Sequence, residues 1–159
     1  MAPIELSQRD IAILRLLQQD ASLTSTAIAE QLNLSQSPCW RRINHIEQTG
    51  LIQRRVALLN REKLGMEVVV FATLNLASHG REQIEQFERA IQQFPEILEC
   101  YTMTGIWDYM LKIITRDVRH YELFIREHLL TMPLIREMHS HIAVTEVKNT
   151  TELPLETQL

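Results

Sequence analysis

Apolar positions recur at helical spacing three times in the first fifty residues. After Ser7, a capping residue with the acidic Asp10 three positions on, Ile11, Leu14 and Leu17 predict a helix over about 7–19. The stretch TSTAIAEQL supplies hydroxyl caps, then Ile28 and Leu32 one turn apart, with Ala29 small enough to let another helix approach. Asn33 follows where a tight turn needs a residue tolerant of positive φ, and Leu34 points back to the core. A third helix then carries Cys39, Ile43 and Ile46 on one stripe and Arg41, His45 and Gln48 on the other, with Trp40 and Arg42 at the boundary. Pro38 suits its first position and Gly50 its left-handed stop. Helix, helix, short turn and helix make a helix-turn-helix, in which Trp40 is expected to pack on the first helix.

Beyond Gly50 the period changes. LIQRRVALLN alternates like a strand, and NREKLG reads as a linker. MEVVVFATLNL is a β-branched run of strand type. Ile84, Phe87, Ile91 and Phe94 mark one helix face that Pro95 ends. ILECYTMT and YMLKIIT are two strands of a hairpin turning at Gly105-Ile106-Trp107-Asp108. Val118, Tyr121, Ile125, Leu129 and Met132 trace another helix, closed by Pro133, and IREMHSHIAVTEVK is the last strand before a polar tail. The order βαββαβ predicts a ferredoxin-like antiparallel sheet with both helices on one face. The fold class is therefore α+β: an N-terminal winged-type helix-turn-helix domain with its linker strand over 1–60, joined to a ferredoxin-like domain over 61–159.

Composition narrows the chemistry. The chain has 159 residues, 45% hydrophobic and 23% charged, as ordinary globular proteins do. Its two cysteines, Cys39 and Cys100, form no C-x-x-C pair; both fall on apolar stripes and are expected to be buried. The start of the chain lacks a signal-peptide core, and no apolar run reaches the roughly 20 residues of a membrane helix, so a cytoplasmic protein without membrane contact is expected. The net charge of -4 is unevenly spread: residues 1–60 hold six Arg against five acids, and 37–55 hold four Arg against Glu47 alone. Positive charge is thus concentrated on the third helix and the segment just after it.

A recognition helix places its N-terminal part against base edges in the major groove, where Arg pairs with guanine and Gln with adenine. Helix-start N–H groups favour phosphate. Double-stranded DNA is accordingly the expected partner of Arg41 and Arg42, of Ser35, Gln36 and Ser37 with Pro38 in the opening turn, and of His45 further along. Arg54 and Arg55 are flanking phosphate contacts or simply exposed. No Ser-His-Asp, Cys-His or paired-carboxylate order indicates catalysis. His139 and His141 share a strand face without a third ligand, so no metal is expected.

Three stretches, DIAILRLLQQDASLTSTAIAEQLNLSQSPCWRRINHIEQTGLI, TGIWDYML and EVKNTTELPL, resemble the Lrp/AsnC family, the feast/famine transcriptional regulators of bacteria and archaea. The resemblance covers residues 5–155. It implies a sequence-specific regulator that forms dimers through the sheet and assembles them into octamers. It also implies a small-molecule effector, an amino acid, and no other cofactor. The effector site would be the hairpin loop at Thr104, Gly105 and Asp108, completed by a neighbouring subunit's last strand at Ile142 and Ala143. Backbone N–H groups beside Gly105 and the Asp108 carboxylate complement an amino acid's carboxylate and ammonium. Trp107 departs from the smaller residue that many members place before the aspartate. Two other readings share the architecture: a DNA-binding architectural protein without effector, and an enzyme subunit of the sirohaem decarboxylase type. The latter would need a tetrapyrrole pocket, for which His120, His128, His139 and His141 are the material.

Overall fold

In the computed structural model, which describes residues 5–155, Ser7 caps α1 (Gln8–Gln19) through a reciprocal pair. Asp10 N–H donates to Ser7 Oγ at 3.2 Å, and Ser7 N–H donates to Asp10 Oδ2 at 3.0 Å. Thr24 Oγ1 likewise accepts from Ala27 N–H at the start of α2 (Ser25–Gln31). Asn33 takes the left-handed conformation, φ 52°, and turns the chain into α3. That helix spans Gln36–Gln48 with Ser35 as its N-cap, so Pro38 is its third residue rather than its first. The position suits it all the same, because the first four helical N–H groups have no acceptor within the helix. Gly50 ends the segment at φ 75°.

The three helices close on Ile13, Leu14, Leu17, Ile28, Cys39, Ile43 and Ile46. Trp40 is not part of this packing: it is 55% exposed, outside the Cys39, Ile43 and Ile46 stripe that carries the contact. Residues 53–60 form no strand, and Val56, Leu58 and Leu59 lie exposed. A single extended segment has no ladder partner for its N–H and C=O groups, which alternation in sequence cannot supply.

The described residues fall into two units, one up to Leu58 and rejoined by the chain from Lys148, the other Leu59–Val147. The tail therefore returns to the helical unit. Leu153 N–H donates to Gln18 Oε1 at 2.7 Å while Gln18 Nε2 donates to Leu153 O at 3.3 Å, and Leu155 packs at the edge of the helical core.

The second unit is built from β1 (Val68–Leu76), α4 (Arg81–Ile91), β2 (Ile97–Thr102), β3 (Tyr109–Thr115), α5 (Val118–Phe124) and β4 (Ile135–Ile142). The sheet is antiparallel throughout, in the order β2-β3-β1-β4. Alternation along β1 sends Val70, Ala72, Leu74 and Leu76 into one core with Phe87 and Ile91 of α4 and Tyr121 and Phe124 of α5. Both helices thus cover one face, as the βαββαβ order predicts. Phe71 and Thr73 point to the opposite face, level with His141 and His139 of β4 and with Lys112 and Met110 of β3.

Two local expectations differ. The helix that Val118 to Met132 predicts gives way to a π-helical turn at Ile125–Leu129, where Leu130 N–H reaches Ile125 O at 2.7 Å, and Val118 is exposed. The wider turn still delivers Leu129 fully into the core. Cys100 is exposed rather than buried, because β2 is an edge strand. Its helix-facing side borders a cleft of about 520 Å³ lined by Glu88, Ile91, Gln92, Cys100, Tyr101 and Tyr109.

Candidate nucleic-acid interface and effector loop

On α3 the buried stripe of Cys39, Ile43 and Ile46 fixes which way the remainder faces. Ser37, Arg41, His45 and Gln48 fall on the outward side, all exposed, and Arg41 makes no hydrogen bond or ion pair among the described residues. The neighbouring arginine is differently placed. Arg42 Nη1 donates to Asp10 Oδ1 at 2.9 Å and to Ser7 Oγ at 3.2 Å, tying α3 to the capped start of α1. Burial alone would raise the Asp10 carboxyl, but the Ser7 hydroxyl and Arg42 outweigh it and hold Asp10 below its usual range. Gln36 is similarly engaged, its Nε2 donating to Thr26 Oγ1 of α2 at 2.7 Å. Ser35, Ser37 and Pro38 are exposed at the opening turn, and Ser35 makes no side-chain cap there. Arg55 reaches Glu47 at 2.8 Å and Ala21 O at 3.0 Å.

The hairpin between β2 and β3 runs over residues 103–108, longer than the four-residue turn read from the sequence. Its tip is Gly105, at φ 112°. Asp108 anchors the far side. Its N–H is shared between Leu74 O at 3.0 Å and Asn75 Oδ1 at 2.9 Å. Its carboxylate Oδ2 accepts from Leu76 N–H at 2.8 Å and lies 2.9 Å from His79 Nε2. Desolvation pushes the Asp108 carboxyl up, yet the Leu76 N–H, His79 and the more distant Arg136 together keep it below its usual range, ionised near neutrality. Asn75, a buried polar residue in an otherwise apolar strand, extends the network by donating to Glu137 Oε1 at 2.9 Å, where Arg136 also donates. Trp107 lies against His139 of β4, ring centroids 4.7 Å apart.

Thr104, Gly105 and Asp108 therefore share one loop, but Ile142 and Ala143 are not with them. Asp108 is beside Leu74 of β1, whereas Ile142 pairs with Val70 and Ala143 N–H donates to Val69 O. Four residues of β1 separate the two places, about 13 Å at ~3.3 Å per residue. Asn75, His79 and Glu137 are additions that sequence reading did not single out; the one signal for them was an asparagine inside VVVFATLNL. The four histidines proposed for a tetrapyrrole are not gathered. His120 pairs with Asp117 on α5, and His128 packs between Phe94 and Phe124. His139 and His141 lie on the sheet face away from the helices. Among the described residues no three metal-binding side chains come together, and no helix is long and apolar enough to cross a membrane.

Comparison with known proteins covers both units. Residues 6–53 match the model for a winged helix-turn-helix DNA-binding domain, and residues 69–153 match that of the Lrp/AsnC ligand binding domain. The transcriptional regulator AzlB of Bacillus subtilis is 37% identical over 153 residues, 96% of this chain and 98% of that protein. The crystal structure of an AsnC family transcriptional regulator from Agrobacterium tumefaciens superposes with a TM-score of 0.92 at 39% identity, covering 97% of this chain and all of the other. A transcriptional regulator from Neisseria meningitidis, solved in complex with L-Met, superposes at 0.93 with 31% identity, covering 98% of this chain and all of that one.

Proposed function

The chain belongs to the Lrp/AsnC family of transcriptional regulators, and from that premise we propose that it reads specific operator sequences as a homodimer and answers to an amino acid. The family's members are regulators, not enzymes, and the helix-turn-helix is its DNA-binding part. The observation that carries the reading is the outward stripe of α3: Ser37, Arg41, His45 and Gln48 lie exposed along one side of the second helix of the motif, in the most positive stretch of the chain. Arg41 is the base or phosphate contact. Arg42 contributes by holding α3 against α1, and its remaining donors face phosphate. Ser35, Gln36, Ser37 and Pro38 form the turn that abuts the backbone, and His45 the contact further along the groove.

One head of this size makes few contacts, so two heads set a helical turn apart on a palindrome supply the affinity. The uncovered face of the sheet, with Phe71, Thr73, Met110 and Tyr101, is the dimer surface, and dimers assemble further, to an octamer. The loop at Thr104, Gly105 and Asp108 holds the effector's carboxylate on backbone N–H groups and its ammonium on Asp108. Ile142 and Ala143 of a neighbouring subunit close the site, since within one chain they lie too far away. L-Met, the ligand of the Neisseria meningitidis regulator, is the first amino acid to test. The division between residues 1–60 and 61–159 separates the reading domain from the effector and assembly domain, except that the tail from Lys148 packs back on the first.

Binding to the protein's own promoter, measured against random duplex across a salt series, decides the matter. A preference for the promoter of about 10³-fold or more, with affinity falling steeply as salt rises, is the expected result. Equal affinity for both duplexes sinks the operator reading and leaves an architectural DNA-binding protein.

A further inference from the structure

The loop of residues 77–80 between β1 and α4 is pinned by Ala77 N–H to Leu134 O at 2.8 Å and carries a histidine to the mouth of the Asp108 loop. Asp108 uses Oδ2 for both of its carboxylate contacts, Leu76 N–H and His79 Nε2. The Asp108 side chain is 27% exposed and that of His79 63%, so the imidazole lies on the solvent side of the carboxylate, where a ligand must arrive. Resting on the reading of this loop as an amino-acid site, we propose that His79 is a built-in competitor of the effector's ammonium group for Asp108.

The other charges around the pair do not take that role. Arg136 of β4 spends its guanidinium on Glu137, and Glu137 accepts from Asn75 as well. His139 of β4 packs on Trp107. That leaves His79 as the one basic group in hydrogen-bond contact with Asp108 among the described residues. Neutral imidazole offers Asp108 only a hydrogen bond, which an ammonium displaces at small cost. Imidazolium offers a full charge, and an ammonium brought to the same carboxylate then meets a like charge a few ångströms away. Histidine changes charge between about pH 5 and 8, so acidification adds the competitor and a rise in pH removes it. His79 is a positioning residue here: it acts on the ligand through the occupancy of Asp108.

The test uses the full chain as wild type, His79→Gln and His79→Lys. Glutamine keeps a donor without charge and lysine keeps a permanent charge. Melting temperature is followed against the twenty amino acids, L-Met first, and each ligand that shifts it is titrated by calorimetry near pH 5.5 and near pH 7.5. Wild-type affinity is expected to fall roughly fivefold at the lower pH, in keeping with the modest strength of partly exposed charge pairs. His79→Gln should hold the higher affinity at both pH values and His79→Lys the lower. Equal affinities for the three proteins at both pH values overturn the proposal. So does a His79→Gln protein that weakens with acid as wild type does, and so does an equal loss in both variants, the mark of a merely structural side chain. If no amino acid binds any of the three, the amino-acid reading of the loop itself fails, and the competitor with it; binding indifferent to residue 79 removes the competitor alone.

Discussion

Arg41 and Arg42 are adjacent in the chain and meet different neighbours in space, so their replacement separates two roles. Arg41→Ala should weaken operator binding by about 1–3 kcal/mol while leaving the melting temperature within a degree or so of wild type. Arg42→Ala should lower the stability of the helical unit, because Asp10 loses a partner; a double-mutant cycle with Asp10→Ala is expected to give a coupling of about 0.5–1 kcal/mol for this partly exposed pair. The pH dependence comes from Asp10. Its folded-state carboxyl is held below the usual value, so its contribution is present above about pH 4 and is lost as the pH falls through the folded value. Urea titrations of wild type and Arg42→Ala should therefore converge as the pH is lowered below about 4. Composition and spacing identified both arginines as candidates, but a charged residue's sequence position does not reveal that an aspartate 32 residues earlier will claim it. Cys100 makes the same point for apolar residues: its position on an alternating strand was legible, and the place of that strand at the edge of the sheet was not.

At the scale of elements, periodicity was a good guide wherever an element packs on its own neighbours. The stripe of Cys39, Ile43 and Ile46 determines a face, and that face is buried as read; along β1 the run read only as strand, and the structure adds that Val70, Ala72 and Leu74 alternate into the core. It misled where an element depends on something not written locally. The chain over 53–60 needs a partner strand to become one, and the π-helical turn at Ile125–Leu129 adjusts a register that 100° steps do not describe. The tail is the clearest case: NTTELPLETQL is polar enough to pass for a solvated end, yet Gln18 brackets Leu153 from both sides and Leu155 reaches the helical core. Gln18→Ala combined with Leu155→Asp should destabilise the three-helix unit by about 1–2 kcal/mol, seen as faster amide exchange in α1 with exchange in the sheet unchanged.

For the whole molecule, the division of charge matches the division of units. The basic stretch 37–55 lies in the helical unit, and Leu59–Val147 carries the acidic excess, nine Lys and Arg against thirteen Asp and Glu. An acidic body disfavours indiscriminate adhesion to nucleic acid and leaves attraction to the reading helix. On the assembly side, the sheet's bare face is the proposed dimer surface. Phe71→Arg should yield monomers in sedimentation experiments and lose affinity for a two-half-site operator while keeping the weak binding of a single half-site; dimers that persist would place the interface elsewhere. The fold class and the helix-turn-helix were readable because each is specified by local pattern. The network of Asn75, His79, Asp108 and Glu137 was not, because it draws single residues from four separate segments that only the antiparallel sheet aligns.

The returning tail also has a consequence for how the protein is made. Domains generally fold as units, the earlier one first, as the chain leaves the ribosome. Here Leu155, which packs against the first unit's core, emerges only after the entire second unit has been synthesised. The helices of the first unit assemble early but wait for the contact of Leu155, and Gln18 for its backbone partner, until the second unit has been synthesised. DNA recognition thus reaches its final stability only in a molecule that has completed its sensing half.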